Sequence, residues 1–187
     1  LPIDLGQLSN DSNSVAQVVI DEAASKLYSL SWVSGGGEYG AEILQWNLDG
    51  SGKTSIARVT TGSYRWKALG LWLNGGNIQW AESSNTDGAS RMLSVLKTGG
   101  GYSVLFSIPG EDKFVAPALL SGAPDEIVYA VGGLLKRIKL DGTNETTVLS
   151  SFVPGLFTIG QVSNKLYLGY SDSIQRMNLD GTNRERL

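Results

Sequence analysis

Short apolar runs separated by turn-forming residues dominate the pattern along this chain. The runs are rich in Val, Ile, Leu, Tyr and Trp, and clusters of Gly, Asn, Asp and Ser lie between them. Runs of this kind are typical of β-strands, because an amphipathic helix would repeat its apolar residues every three to four positions over a longer window. The pattern therefore predicts an all-β protein.

One segment recurs along the chain with the same apolar residues and the same turn. Residues 43–51 (ILQWNLDGS) return as 135–143 (LKRIKLDGT) and 174–182 (IQRMNLDGT), and 92–99 is a weaker copy. The turn glycines of the four copies follow one another at intervals of 49, 43 and 39 residues. They are Gly50, Gly99, Gly142 and Gly181. This spacing is that of a blade in a β-propeller.

Each copy has the same apolar neighbours, which extends the repeat to four strands. Two apolar runs precede the copy, and a short strand follows its Asp-Gly or Thr-Gly turn, where glycine supplies the positive φ that a tight hairpin requires. The predicted fold is a β-propeller of four-stranded antiparallel meander blades, about four in this chain. The predicted blades are 15–60, 64–107, 114–150 and 156–187, with 1–9 as a strand of a preceding or closing blade.

The order of these segments resembles the YWTD repeat, also called the LDL-receptor class B repeat. Residues 164–187 carry the resemblance best, whereas the name-giving tetrapeptide is degenerate, as in 28–31 (YSLS) and 167–170 (YLGY). That family forms six-bladed propellers, which need about 250 residues at about 42 per blade. Three arrangements stay open: a small closed ring, a fragment of a larger propeller, and chains that close a ring between them. The resemblance implies an extracellular ligand-binding role.

Composition and charge limit the partners. Of 187 residues 24 are glycine. The net charge of −3 gives no excess of positive charge with which to bind the phosphate backbone of a nucleic acid. No apolar run approaches the roughly 18 residues that cross a bilayer. We therefore expect a glycan or protein ligand, no nucleic acid and no membrane span, with a homo-oligomer or another chain closing the ring as a further option.

The residues that catalysis usually requires are absent from the sequence. The chain has no His and no Cys, which removes the usual general base and every Ser-His or Cys-His pair. Ser94 and Lys97 match a Ser-x-x-Lys string, but residues three apart in a strand point to opposite faces. We therefore expect a protein that is not an enzyme, with a carboxylate-based glycoside hydrolase as the alternative.

Three turn aspartates could bind a hard cation. Asp49, Asp141 and Asp180 recur at blade intervals, whereas one calcium ion needs six to eight converging oxygens. Capping of each turn by its own carboxylate is the preferred interpretation. We expect no cofactor, with a structural calcium ion as the alternative.

The loops between the second and third strands suggest a binding face. They are long in the first two blades, which also hold all five tryptophans, and insertions on one face of a repeat array often mark the binding face. These loops and the blade junctions supply the candidate ligand-binding residues. The candidates are Glu38, Tyr39, Tyr64, Arg65, Trp66, Glu82, Asn85, Asp87, Glu111, Asp112 and Lys113.

Aromatic, amide and carboxylate groups in loops of low charge suit sugars, which bind by stacking and hydrogen bonding. The predicted function is carbohydrate recognition of a lectin-like kind, and the alternative is a protein–protein interaction propeller of the YWTD receptor type. Glycosylation sequons at Asn10 and Asn144 add a slight preference for secretion.

Overall fold

The computed structural model describes residues 15–35, 38–60, 66–84, 89–108, 115–120, 125–150 and 156–187. These residues form sixteen β-strands. The strands are β1 (Val15–Asp21), β2 (Lys26–Gly35), β3 (Glu38–Asn47), β4 (Thr54–Thr60), β5 (Trp66–Asn74), β6 (Asn77–Ser84), β7 (Ser90–Leu96), β8 (Ser103–Ile108), β9 (Val115–Leu119), β10 (Glu126–Val131), β11 (Leu134–Lys139), β12 (Thr146–Leu149), β13 (Leu156–Val162), β14 (Lys165–Tyr170), β15 (Ile174–Asn178) and β16 (Glu185–Arg186).

The strands form four sheets, and each sheet contains four strands that follow one another in the sequence. The first blade is β1–β4, the second β5–β8, the third β9–β12 and the fourth β13–β16. Every pairing is antiparallel. The predicted all-β class and the four-stranded meander blades are confirmed.

The first strand of each blade lies at the centre of the array. β1 contacts β5, β5 contacts β9, and β9 contacts β13, so the inner strands of successive blades lie side by side. Within each sheet the order then runs outward to β4, β8, β12 and β16. This radial arrangement is that of a propeller.

The core lies between neighbouring blades. Because successive residues of a strand point to opposite faces, one strand serves two interfaces. In β10, Val128 packs in the cluster shared with the fourth blade, whereas Ile127 and Tyr129 pack in the cluster shared with the second. Trp80 is fully buried between the first and second blades, as expected for a large aromatic residue in a strand.

The turn between the third and fourth strands brings one blade against the outer strand of the blade before it. Gly181 has a φ of +85°, and a Cβ atom placed on it would lie 2.3 Å from the carbonyl oxygen of Val148 in β12. The repeated glycine therefore serves two needs, a left-handed backbone and a close approach between blades.

Candidate functional site

The hairpins of the first two blades extend farther than those of the last two. β2 and β3 are 10 residues long, whereas β10 and β11 are 6 residues long. At about 3.3 Å per residue, the difference of four residues is about 13 Å of extra strand. In the second blade β6 has 8 residues. The prediction of long loops over 33–40 and 82–88 was therefore partly wrong, because residues 33–35, 38–40 and 82–84 belong to the strands of these projecting hairpins.

The blade junctions and these loops begin at the same end of the sheets. Trp66, the first residue of β5, pairs with Ser84, the last residue of β6. In the first blade Thr60, the last residue of β4, pairs with Gly40 near the tip of the β2–β3 hairpin. We call this end of the sheets the loop rim.

Four of the candidate residues lie within the described ranges. Glu38 begins β3 opposite Gly35, and the half-buried Tyr39 follows it. Trp66 was predicted in a loop, but it is the first residue of β5; for Glu38 and Trp66 the structure describes the backbone only. The other candidates lie outside the described residues: Tyr64, Arg65, Asn85, Asp87, Glu111, Asp112 and Lys113.

Glu82 is not on the surface of the loop rim. It is 1% exposed, and its Oε1 accepts a hydrogen bond from the indole N–H of Trp80 at 2.7 Å. Its Oε2 accepts two from Arg91, Nε at 3.0 Å and Nη2 at 2.8 Å. Glu82 of β6 and Arg91 of β7 are cross-strand partners. A buried carboxylate satisfied in this way holds the loop end of the second hairpin in place, and it reaches a ligand only if this network opens.

Arg91 was missed by the sequence analysis. The sequence did contain a signal for it, because β6 and β7 are consecutive antiparallel strands, and their register places Arg91 opposite Glu82. Buried serines were missed as well. Ser31 is fully buried in β2, and among the described residues its Oγ has no hydrogen-bond partner. Ser83 and Ser90, a buried pair at the loop end of the second hairpin, complete a polar interior beneath the loop rim.

The three turn aspartates bind their own turns. Asp141 accepts hydrogen bonds from the amide N–H of Thr143 at 2.8 Å and from its hydroxyl at 2.6 Å. Asp49 and Asp180 make the same pair of contacts with Ser51 and Thr182. These hydroxyl and amide donors lower the pKa of all three carboxyl groups. Within the described ranges, no group of three or more acidic side chains is placed to hold a metal ion.

Comparison with solved structures identifies the class of fold. The chain matches a crystal structure of a nidogen–laminin complex with a TM-score of 0.64 at 11% identity over 93% of this chain and 63% of that one. A puromycin hydrolase matches with a TM-score of 0.66 at 12% identity, covering 93% and 30%. An oligogalacturonate lyase in complex with manganese matches with a TM-score of 0.61 at 12% identity, covering 91% and 52%. The chain spans less than two thirds of each.

These comparisons show a β-propeller without showing the family. No protein-family model matches the chain, and no curated protein matches it in sequence. The likeness to the nidogen–laminin structure agrees with the propeller part of the YWTD resemblance. Assignment to the YWTD family itself stays a prediction.

The comparisons also correct the expectation that the chain is not an enzyme. A hydrolase and a lyase are among the solved structures that share this fold. The argument from absent His and Cys is therefore wrong, because it treated missing residue types as a mark of a non-catalytic chain in a fold that enzymes commonly use.

In the described parts of the chain, no helix has the length and apolar character that crossing a bilayer requires.

Proposed function

We propose that this propeller recognises a carbohydrate through the loop rim, the end of the sheets at which β2 and β6 end and β5 begins. The observation that carries the proposal is the projection of the first two hairpins, because β2 is four residues longer and β6 two residues longer than β10 of the third blade. The remaining candidate groups that neighbour these strand ends in the sequence are Tyr64, Arg65, Asn85 and Asp87. They offer a stacking surface and hydrogen-bonding groups.

Two further observations support a sugar ligand. The loop end of the second hairpin is fixed by Glu82, Arg91 and Trp80, which gives a binding site there a rigid support. An oligogalacturonate lyase, whose name gives a sugar-derived substrate, has the same fold. At 12% identity that likeness supports the capacity of the fold rather than a particular sugar.

A protein ligand is the second candidate, and one specific observation favours it. A nidogen–laminin complex contains a chain with this fold, so the propeller architecture also serves protein–protein contact. The remaining blade-junction candidates Glu111, Asp112 and Lys113 would fit such a role as a charged edge. Binding to this class of ligand would use a wider surface than a sugar does.

The experiment is a glycan array followed by titration calorimetry with the best glycan. Trp66→Ala and Tyr39→Ala are expected to weaken binding by at least about tenfold, because stacking on an aromatic ring is lost. Tyr167→Ala is the matched control, because Tyr167, like Tyr39, is a half-buried tyrosine of a strand, and it lies in β14 of the fourth blade. Failure of every glycan to bind, with no effect of Trp66→Ala on any activity, would contradict the proposal. Release of a product from the bound glycan would show turnover at the same rim.

An extracellular location belongs to the same proposal. Asn144 begins an N-E-T sequon in an exposed turn of the third blade, with a φ of +57°. A sequon in such a turn is accessible to glycosylation in a secreted protein.

A further inference from the structure

Two apolar side chains are exposed at the outer strand of the second blade. Tyr102, just before β8, is 40% exposed, and Val104 in β8 is 47% exposed. Tyr102 meets the ring of Trp80 edge-on, with 6.4 Å between the ring centroids, and Val104 pairs with Leu93 of β7. Because Trp80 and Leu93 pack between the first and second blades, both exposed side chains lie on that face of the sheet. We call Tyr102 and Val104 the edge pair.

The edge pair is exposed although its blade has a neighbour on each side. One apolar cluster joins the second blade to the first, and another joins it to the third. The exposure therefore arises at the outer edge of the sheet, where β8 is the last strand. Among the strands that the structure describes, none pairs with this edge of β8.

The same two positions are polar in the other three blades. Counted from the turn glycine, the edge pair lies three and five residues further along the chain. The register confirms this equivalence, because in every blade the second position pairs with the residue six before the turn glycine. The equivalent residues are all exposed, and they are Lys53 and Ser55 in the first blade, Glu145 and Thr147 in the third, and Arg184 and Arg186 in the fourth.

The second blade also lacks the charges that protect an edge strand. No residue from Thr98 to Ile108 is charged. In contrast, β4 contains Arg58, and β16 consists of Glu185 and Arg186. Charged side chains on an edge strand oppose pairing with another strand, because pairing would remove them from water. An uncharged edge with exposed apolar side chains is therefore suited to pairing.

We propose that β8 pairs with β8 of a second copy of this chain, antiparallel and edge to edge. A two-fold axis at Ser103 places Tyr102 of each copy opposite Val104 of the other, and all four side chains then lie on one face. An aromatic residue opposite a β-branched residue is a favourable cross-strand pair. The occupant is a second copy because a partner strand must be uncharged along this edge and apolar opposite the edge pair, and β8 meets both conditions.

The contact is expected to be weak. A strand edge of about seven residues is about 23 Å long, so the contact is well below the roughly 800 Å² that each partner buries in a standard interface. A dissociation constant of roughly 10 µM to 1 mM follows. None of the paired residues is a candidate of the loop rim, so this contact is tested separately from the carbohydrate site.

The absence of cysteine from the sequence allows a test of the register by cross-linking. In Ser103→Cys the two introduced thiols lie opposite one another, and opposed Cα atoms of antiparallel strands are about 4.5–5.5 Å apart, which suits a disulfide. Mild oxidation is expected to convert most of the chain into a disulfide-linked dimer. Ser107→Cys is the matched control, because Ser107 is an exposed serine of the same strand whose two copies lie about 26 Å apart in this register.

Sedimentation equilibrium of the full chain, up to about 1 mM, measures the association. The native chain is expected to show an equilibrium of monomer and dimer. Tyr102→Glu and Val104→Arg are each expected to weaken it by about tenfold or more, because each buries an unpaired charge in the contact. Both substitutions suit the fold, because Glu145 and Arg186 already hold these positions in the third and fourth blades.

An equimolar mixture of these two variants tests the geometry. In the mixed dimer, the introduced carboxylate of one chain faces the introduced guanidinium of the other, and the remaining Tyr102 still faces the remaining Val104. Association is therefore expected to return. Ile174→Glu, at an exposed apolar residue of the fourth blade, is the control for an added charge and should leave dimerisation unchanged.

Three results would overturn the proposal. One is a native chain that stays monomeric at every concentration. Another is equal disulfide formation by Ser103→Cys and Ser107→Cys. The third is a mixture of Tyr102→Glu and Val104→Arg that dimerises no better than either variant alone. Circular dichroism of each variant establishes that the blades remain folded.

Discussion

The ammonium of Lys97 lies 2.6 Å from the carboxylate of Asp21, and this ion pair joins the second blade to the first. Lys97 lies just before the turn glycine of its blade, and Asp21 is the last residue of an inner strand. The contact therefore fixes the turn of one blade against the end of its neighbour. Between the third and fourth blades the same positions hold the apolar Leu120 and Leu179, so the ion pair distinguishes the first interface from that one.

Acid should weaken the first interface through Asp21. The hydrogen bond from Lys97 and the amide N–H of Ala24 lower the pKa of Asp21 in the folded chain. The stabilisation is therefore complete above the ordinary carboxyl pKa of about 4 and is lost as the pH falls through the lower folded value. Asp21→Asn is expected to reduce stability at pH 7 and to flatten its dependence on pH below about 4.

Urea unfolding of the native chain and of Asp21→Asn, measured from neutral pH down to acid pH, checks this. Asp125→Asn, at an exposed residue, is the control and should leave the profile unchanged. Equal pH profiles for the native chain and Asp21→Asn would contradict the role of the ion pair.

Removal of Arg91 should destabilise the second blade. Arg91→Ala leaves the buried Glu82 carboxylate without its charged partner, which costs about 3–5 kcal/mol. Combining Glu82→Gln with Arg91→Met should recover much of that loss, because the glutamine is neutral and still offers an oxygen to the indole of Trp80. Chemical denaturation measures the free energy of unfolding of the single and the double variant. A loss below about 1 kcal/mol for Arg91→Ala would show that the carboxylate is satisfied in another way.

Alanine substitutions at Gly50 and Gly181 distinguish the cost of a left-handed backbone from the cost of a close contact between blades. Gly50 and Gly181 have nearly equal φ values of +84° and +85°, but only Gly181 has described atoms close to the position of a Cβ atom. Gly50→Ala should cost about 1–2 kcal/mol from the left-handed backbone alone. Gly181→Ala should cost about 1–3 kcal/mol more, because the methyl group would force the fourth blade away from Val148. Equal losses in the free energy of unfolding would contradict the close approach between blades.

Asn144 should accept a glycan when the chain passes through a eukaryotic secretory pathway. Residues 141–147 are exposed, so the N-E-T sequon is accessible without unfolding. Mass spectrometry of the secreted chain should find the modification at Asn144, and Thr146→Ala should remove it while leaving Asn144 in place. A secreted native chain that carries no glycan at Asn144 would contradict the accessibility of this turn.

The sequence predicts the blades well because their signals are local. Apolar alternation and the Asp-Gly turn at residues 141–142 define strands and hairpins without knowledge of distant residues. The contact between Asp21 and Lys97 could not be predicted, because it depends on the angle at which two blades pack.

The candidate site was less predictable than the fold. Glu82 looked like a loop residue beside a long insertion, but β6 continues to Ser84, and the alternation of side chains turns Glu82 inward beside Trp80. Trp66 begins β5 for a similar reason, since pairing with Ser84 extends the strand to the junction. Loop composition indicated which end of the blades to consider, whereas strand ends and side-chain direction required the structure.

The most direct test of ligand recognition at the loop rim follows the indole N–H signals of the five tryptophans by NMR during titration with an oligosaccharide. The account predicts that the signal of Trp66 shifts with added ligand, while those of the buried Trp46 and Trp80 change little. Assignment of each signal follows from single Trp→Phe variants. A saturable interaction that leaves the Trp66 signal unchanged, or no interaction with any oligosaccharide, would contradict a carbohydrate site at the loop rim.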